Sequence, residues 1–100
     1  MELKNEVWPL DEALLRILPE EGSKLGFHNL GKTVANLREE LNAALPDDSP
    51  EEAFLTPEQI SSRLRSAKVN GLATDVPGGK GGTRLWQRTA KGKRYIEENA

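Results

Sequence analysis

The chain has 100 residues, 36% of them apolar, 30% charged and none cysteine. This fits one domain with a modest core and excludes disulfides, thiolate metal sites and cysteine nucleophiles. No run of about 18 apolar residues is present to cross a membrane, and MELKNEVW lacks the apolar stretch of a signal peptide, so a cytoplasmic protein is expected. The net charge of −2 hides a division: residues 1–56 carry five Lys and Arg against twelve carboxylates, and residues 57–96 carry nine against two. An acidic half and a basic half on one small body point to an anion-binding face, with nucleic acid the leading partner and no membrane partner expected.

The first apolar stripe is Leu10, Leu14, Ile17 and Leu18, at helical spacing behind Pro9, with Asp11 and Glu12 in the first turn and Pro19 as the stop. Trp8, just before it, is suited either to packing against a second subunit or to closing the base of the core. Glu6-Val7 is the place for a short extra strand. Glu20 to Asn29 reads as a glycine-containing loop. A second helix is expected from Gly31 to Leu45, with Val34, Leu37 and Leu41 inward and Pro46 ending it. Residues 46–55 then form an exposed acidic loop.

The third helix, 56–70, has the most sharply marked start. Thr56 is the N-cap, Pro57 takes the first turn, Gln59 completes a capping box, and Leu55 with Ile60 has the spacing of a hydrophobic staple. Ile60, Leu64 and Ala67 face inward, and Gly71 supplies a left-handed close. The period then changes to that of strands. Residues 72–76 and 84–88 read as a hairpin around the glycine-rich Pro77–Gly82, and Thr89 caps a last helix containing Tyr95 and Ile96. Trp86 and Tyr95 suit a core or a dimer contact better than base stacking. The expected fold is α+β and mainly α, one domain over residues 1–100.

Catalytic signatures are weak. Gly26-Phe27-His28-Asn29-Leu30-Gly31-Lys32-Thr33 satisfies the letters of the P-loop pattern. That loop must follow a buried strand and wrap phosphate with small residues, and Pro19–Lys24 offers no such strand. The only histidine, His28, has no cysteine or second histidine to share a metal. Adjacent carboxylates such as Glu39-Glu40 diverge rather than cooperate. No enzyme, metal or cofactor is expected.

The element order, together with Leu55-Thr56-Pro57-Glu58-Gln59-Ile60-Ser61-Ser62-Arg63-Leu64-Arg65, Asn70-Gly71-Leu72 and Trp86-Gln87-Arg88-Thr89-Ala90-Lys91-Gly92, resembles the winged helix-turn-helix domain of bacterial transcriptional regulators, most closely the MarR-like and PadR-like families. The sequence departs from that pattern at Ala67, where leucine is usual, at Arg88, where an apolar residue is usual, and in the long connection from Pro46 to Leu55. The resemblance implies a three-helix core, a two-stranded wing over 72–88, a C-terminal helix, and a homodimer acting on duplex DNA as a transcriptional regulator.

Stepping 100° per residue from Ile60 places Leu64, Ala67 and Gly71 inward and Glu58, Gln59, Ser62, Arg65, Ser66 and Val69 outward. Gln59 suits adenine, Arg65 guanine or phosphate, and Ser62 and Ser66 close backbone approach, with Arg63 flanking for phosphate. Glu58 repels phosphate unless it meets a cytosine amine or serves its own helix. Lys80 and Arg84 would grip the backbone from the wing. The candidate DNA-contacting set is thus Thr56, Gln59, Ser62, Arg63, Arg65, Ser66, Lys80 and Arg84. The alternative is a winged-helix protein-interaction module, a phage or plasmid accessory protein, docking through its acidic half. Convergence of the basic charges on one surface would favour DNA.

Overall fold

Residues 3–99 are described by a computed structural model, an α+β body of four helices and two small antiparallel two-stranded sheets. Helix α1 spans Pro9–Ile17; Pro9 opens it, and the Asp11 carboxylate accepts from the Trp8 N–H at 2.8 Å. Leu14, Leu15 and Leu18 are buried and Leu10 and Ile17 partly so. The covered stripe is therefore wider than the periodicity predicts, because Leu15 is enclosed as well. Pro19 cannot extend the helix.

The expected loop over 20–29 is instead a small hairpin of β1 (Lys24–Leu25) and β2 (His28–Asn29). Gly26 has φ +63° and Phe27 has no positive φ, the type II′ pattern that lets a two-residue turn match strand twist. This geometry also removes the P-loop reading, since the segment is a turn at the surface rather than a phosphate wrap after a buried strand. Helix α2 spans Val34–Ala43, starting later than expected because Thr33 is its N-cap, accepting from the Asn36 N–H at 3.1 Å. Lys32 meanwhile pairs through its main chain with Trp86 in both directions, at 3.1 and 2.8 Å.

The acidic connection holds a short 3-10 turn, Glu51–Ala53, and is shut at its ends by Asn42. That side chain accepts from the Leu55 N–H at 2.8 Å and donates to the Leu55 carbonyl at 3.2 Å. Helix α3 then spans Pro57–Val69. Thr56 and Gln59 cap each other, the Gln59 N–H donating to the Thr56 hydroxyl and the Thr56 N–H to the Gln59 amide oxygen. The helix closes in a Schellman motif: Gly71, at φ +76°, donates to the Lys68 carbonyl, and Leu72 donates to that of Ala67.

Strands β3 (Ala73–Val76) and β4 (Leu85–Arg88) pair antiparallel from Ala73 with Arg88 to Val76 with Leu85. Helix α4, Ala90–Glu98, follows Thr89, whose hydroxyl donates to the Gly71 carbonyl at 2.6 Å and accepts from the Gly92 N–H. Gly92 touches the sheet so closely that a Cβ would stand 2.1 Å from the Leu72 carbonyl oxygen, so only glycine admits this approach.

Alternation gives the hairpin two faces. Trp86, on one, joins Leu37, Ile60, Leu64, Leu72 and Ile96 in the core, together with Ala67, which faces inward as its spacing predicts. Leu85 and Gln87 point to the other face, which the β1–β2 hairpin covers. The buried Gln87 amide accepts from the Gly22 N–H and donates to the Leu30 and Ser23 carbonyls. Arg88 turns its guanidinium to the Leu15 carbonyl at 3.2 Å, at the negative end of α1, with Glu20 3.8 Å away. The polar residue in that strand therefore ties the sheet to the first helix. The extra strand considered at Glu6-Val7 does not form. An arm, residues 3–8, which bends at Lys4 and Asn5, instead lies against α3.

Candidate nucleic-acid interface

The arm decides which part of α3 is open. The Asn5 N–H donates to the Asn70 amide oxygen at 2.7 Å, the Asn70 amide donates to the Asn5 carbonyl at 3.1 Å, and the Asn5 amide reaches the Ser66 hydroxyl at 3.2 Å. Arg63 closes the same flank. Its Nε and Nη2 each lie 2.6 Å from an Asp11 carboxylate oxygen, and Nη2 also donates to the Glu6 carbonyl. The guanidinium stands 3.9 Å from the centre of the Trp8 ring, a cation–π contact added to a bidentate ion pair. Asp11 is buried, and the Arg63 side chain is only 12% exposed. The Asp11 carboxylate holds the Arg63 guanidinium above its ordinary pKa, outweighing the opposing effect of burial.

Two of the expected contact residues are therefore engaged by the arm and α1 and only partly exposed. Arg63 is committed to Asp11, whose buried carboxylate takes the Nε and Nη2 edge of its guanidinium. Ser66 is not outward, because the arm covers it. Thr56 and Gln59 are exposed at the start of α3, but each spends an oxygen on the cap. Gln59 can offer adenine its amide donor, and its acceptor only by giving up the cap. Trp8 remains half exposed, bordering the arm rather than closing the core.

The open surface of α3 is rotated by roughly 50° toward the β3–β4 hairpin, on the same 100° wheel, and carries Glu58, Ser61, Ser62, Arg65, Lys68 and Val69. Between it and the hairpin runs a groove of about 370 Å³, lined by Val34, Ser61, Arg65, Lys68, Asp75, Thr83, Arg84 and Trp86. Asp75, at its floor, receives Lys68 at 2.6 Å and Arg84 at 3.2 Å. The Lys68 hydrogen bond, helped by Arg84, holds the Asp75 carboxyl below its ordinary pKa against the effect of burial. Arg65 has no ion-pair partner among the described residues, so the groove keeps an excess of positive charge around one neutralised carboxylate.

The tip beyond it is folded into a short 3-10 turn over Lys80–Gly82, closed by the Gly79 N–H on the Thr83 carbonyl and by the Thr83 N–H and hydroxyl, which both donate to the Lys80 carbonyl. Lys80 is exposed there. The other basic residues of the second half point elsewhere. Lys91 donates to the Asn70 carbonyl, and Lys93 lies 3.0 Å from Glu20, whose carboxyl it draws below the ordinary range.

Lys68, Ser61 and Asp75 were not anticipated as groove residues. The wheel sets Ser61 and Lys68 beside Arg65, a signal present in the sequence, whereas Asp75 reaches the groove through its pairing with Trp86, a register that only the structure gives. The Arg63–Asp11 pair, 52 positions apart, has no local signal. Among the described residues no cluster of three or more His, Asp or Glu could hold a metal, and no helix is long and apolar enough to cross a membrane. Comparison with protein-family models, with curated proteins and with solved structures returns no match to this chain.

Proposed function

We propose that this protein binds duplex DNA as a winged helix-turn-helix domain, with α3 in the major groove and the β3–β4 hairpin on the flanking backbone. One observation carries the reading: Arg65, Lys68 and Arg84 converge on a single groove between α3 and the hairpin, with Lys80 at the hairpin's tip. The element order supports it, as does the Lys32–Trp86 pairing, which adds a third extended segment beside β4 before α2 begins. Arg65 and Ser62 are the side chains open to base edges. Lys68, Lys80 and Arg84 are suited to phosphate. On this reading the protein is a transcriptional regulator, and a homodimer would double the contact with two half-sites.

The test is a mobility-shift titration on random duplex fragments at several salt concentrations. Wild-type binding should weaken steeply with salt; Lys80→Ala should reduce the slope of log affinity against log salt by about one, and Arg65→Ala should weaken binding by about 1–3 kcal/mol. Variants indistinguishable from wild type would overturn the assignment. A second reading, docking on a basic protein surface, rests on the exposure of Glu39, Glu40, Asp47, Asp48, Glu51 and Glu52 along α2 and its connection to α3. It gains if no duplex is shifted.

A further inference from the structure

Phe27 is fully exposed, at 102% of its reference surface, and Leu25 beside it is 72% exposed. Isolated apolar residues at a surface need no explanation, but this ring stands on a braced support. The stem of the β1–β2 hairpin is held at Gly22, Ser23 and Leu30 by the buried Gln87 amide, and the tip is a two-residue turn with Gly26 in the left-handed region. A buried side-chain amide satisfied by three partners fixes the stem, so the ring is held out rather than left on a slack loop.

The contacts also give its direction. Gln87 sits within the sheet, whereas Asn29, further along the hairpin, donates to the carbonyl of Pro77, where the chain leaves β3 for the Lys80 tip. The β1–β2 hairpin therefore runs outward alongside β3–β4, and Phe27 lies beyond Pro77, toward the same end of the molecule. Two parallel prongs result. Residues 22–32 and 77–84 carry Lys24, Lys32, Lys80 and Arg84 and no carboxylate at all, although Lys32 is paired with Glu40 from α2 and Arg84 with Asp75 from β3. An apolar ring on a cationic, acid-free ribbon is complementary to a polyanion with stackable bases.

We propose that the β1–β2 hairpin is a second DNA-contacting element, whose Phe27 ring enters the minor groove beside the β3–β4 hairpin as an apolar wedge and kinks the duplex. Partial unstacking of one base step by an inserted phenyl ring opens that step and bends the helix away from the wedge. The flexible pyrimidine–purine steps are the favoured sites. This rests on the duplex-binding reading above; it adds a contact, a deformation and a preference for deformable steps.

The experiment uses the whole chain, as wild type, Phe27→Ala and Phe27→Trp, with duplexes carrying an end-to-end fluorescence-transfer pair and 2-aminopurine at a central TA step. Because the ring is fully exposed, thermal melting of all three should coincide, which checks that folding is unaffected. Wild type should shorten the end-to-end distance and brighten 2-aminopurine. Phe27→Ala should keep the salt slope, lose both signals and bind about tenfold more weakly, while Phe27→Trp should retain both. A shift by wild type with a bend that survives Phe27→Ala overturns the wedge alone. Absence of any wild-type shift overturns the duplex reading itself. Phe27-dependent binding to vesicles containing phosphatidylserine, with duplex bending unchanged, would assign the ring to a lipid surface and also overturn the wedge.

Discussion

The two flanks of α3 use the same residue types for opposite ends. On one flank, Arg63, Ser66 and Asn70 face the N-terminal arm and α1, and each is hydrogen-bonded to a protein partner there. On the other, Ser61, Ser62, Arg65 and Lys68 face solvent and the β3–β4 hairpin, with a single carboxylate, Asp75, among them. An arginine two positions from another on one helix is thus a structural tie or a candidate DNA contact, depending on where the 100° step leaves it and what crosses above. The lesson is that charge by itself does not mark an interface; charge without an internal partner does.

The sharpest way to break this contrast is Asp11→Ala. It removes the partner of a nearly buried guanidinium and the acceptor for the Trp8 N–H, and should cost about 3–5 kcal/mol. For a domain of this size that lowers the melting temperature by more than about 10 °C, read by calorimetry. Duplex affinity per folded molecule should stay the same.

Next in size is Asn70→Ala, which abolishes both bonds to the Asn5 main chain and should cost about 1–3 kcal/mol in denaturant unfolding. The released arm should also be cut by trypsin after Lys4 faster than in wild type.

On the open flank, Asp75→Asn should cost about 1 kcal/mol or less near neutral pH, since Lys68 and Arg84 are each about half exposed. The pH dependence carries its own sign. Asp75 has a depressed pKa in the folded state, so its contribution is present above the unfolded value near ~3.9 and is lost as pH falls through the lower folded value. Unfolding curves of Asp75→Asn should therefore lose part of the wild-type acid limb below about pH 4. Duplex affinity should rise, because Lys68 and Arg84 are freed. The smallest expected effect is that of Ser62→Ala, within about 0.5 kcal/mol in stability, with any change confined to sequence preference in a selection assay.

Much of the scaffold was legible because its signals are local. The start and close of α3 and the Thr89–Gly92 turn each follow from residues within about five positions of one another, the β3–β4 hairpin from two strand runs joined by a glycine-rich turn, and the structure has them within a residue or two of where the sequence puts them. Residues 20–29 were misjudged because two-residue strands carry too little alternation to register, although Gly26-Phe27 held the turn signal. The arm escaped for a different reason. Its bonds join Asn5 to Asn70 across 65 positions, and nothing near Asn5 announces such a partner. The same gap misdirected Arg63 and Ser66, since a wheel gives direction but not what lies above it.

Asn42 and Leu55, thirteen positions apart, hold each other by two hydrogen bonds. That clasp uncouples the segment it encloses from the helices on either side. Ring closure costs grow only with the logarithm of length, so residues 44–53 form a natural cassette. Peptides of other lengths or charge can be grafted there, as an affinity handle or a dye site, while α3 keeps its register.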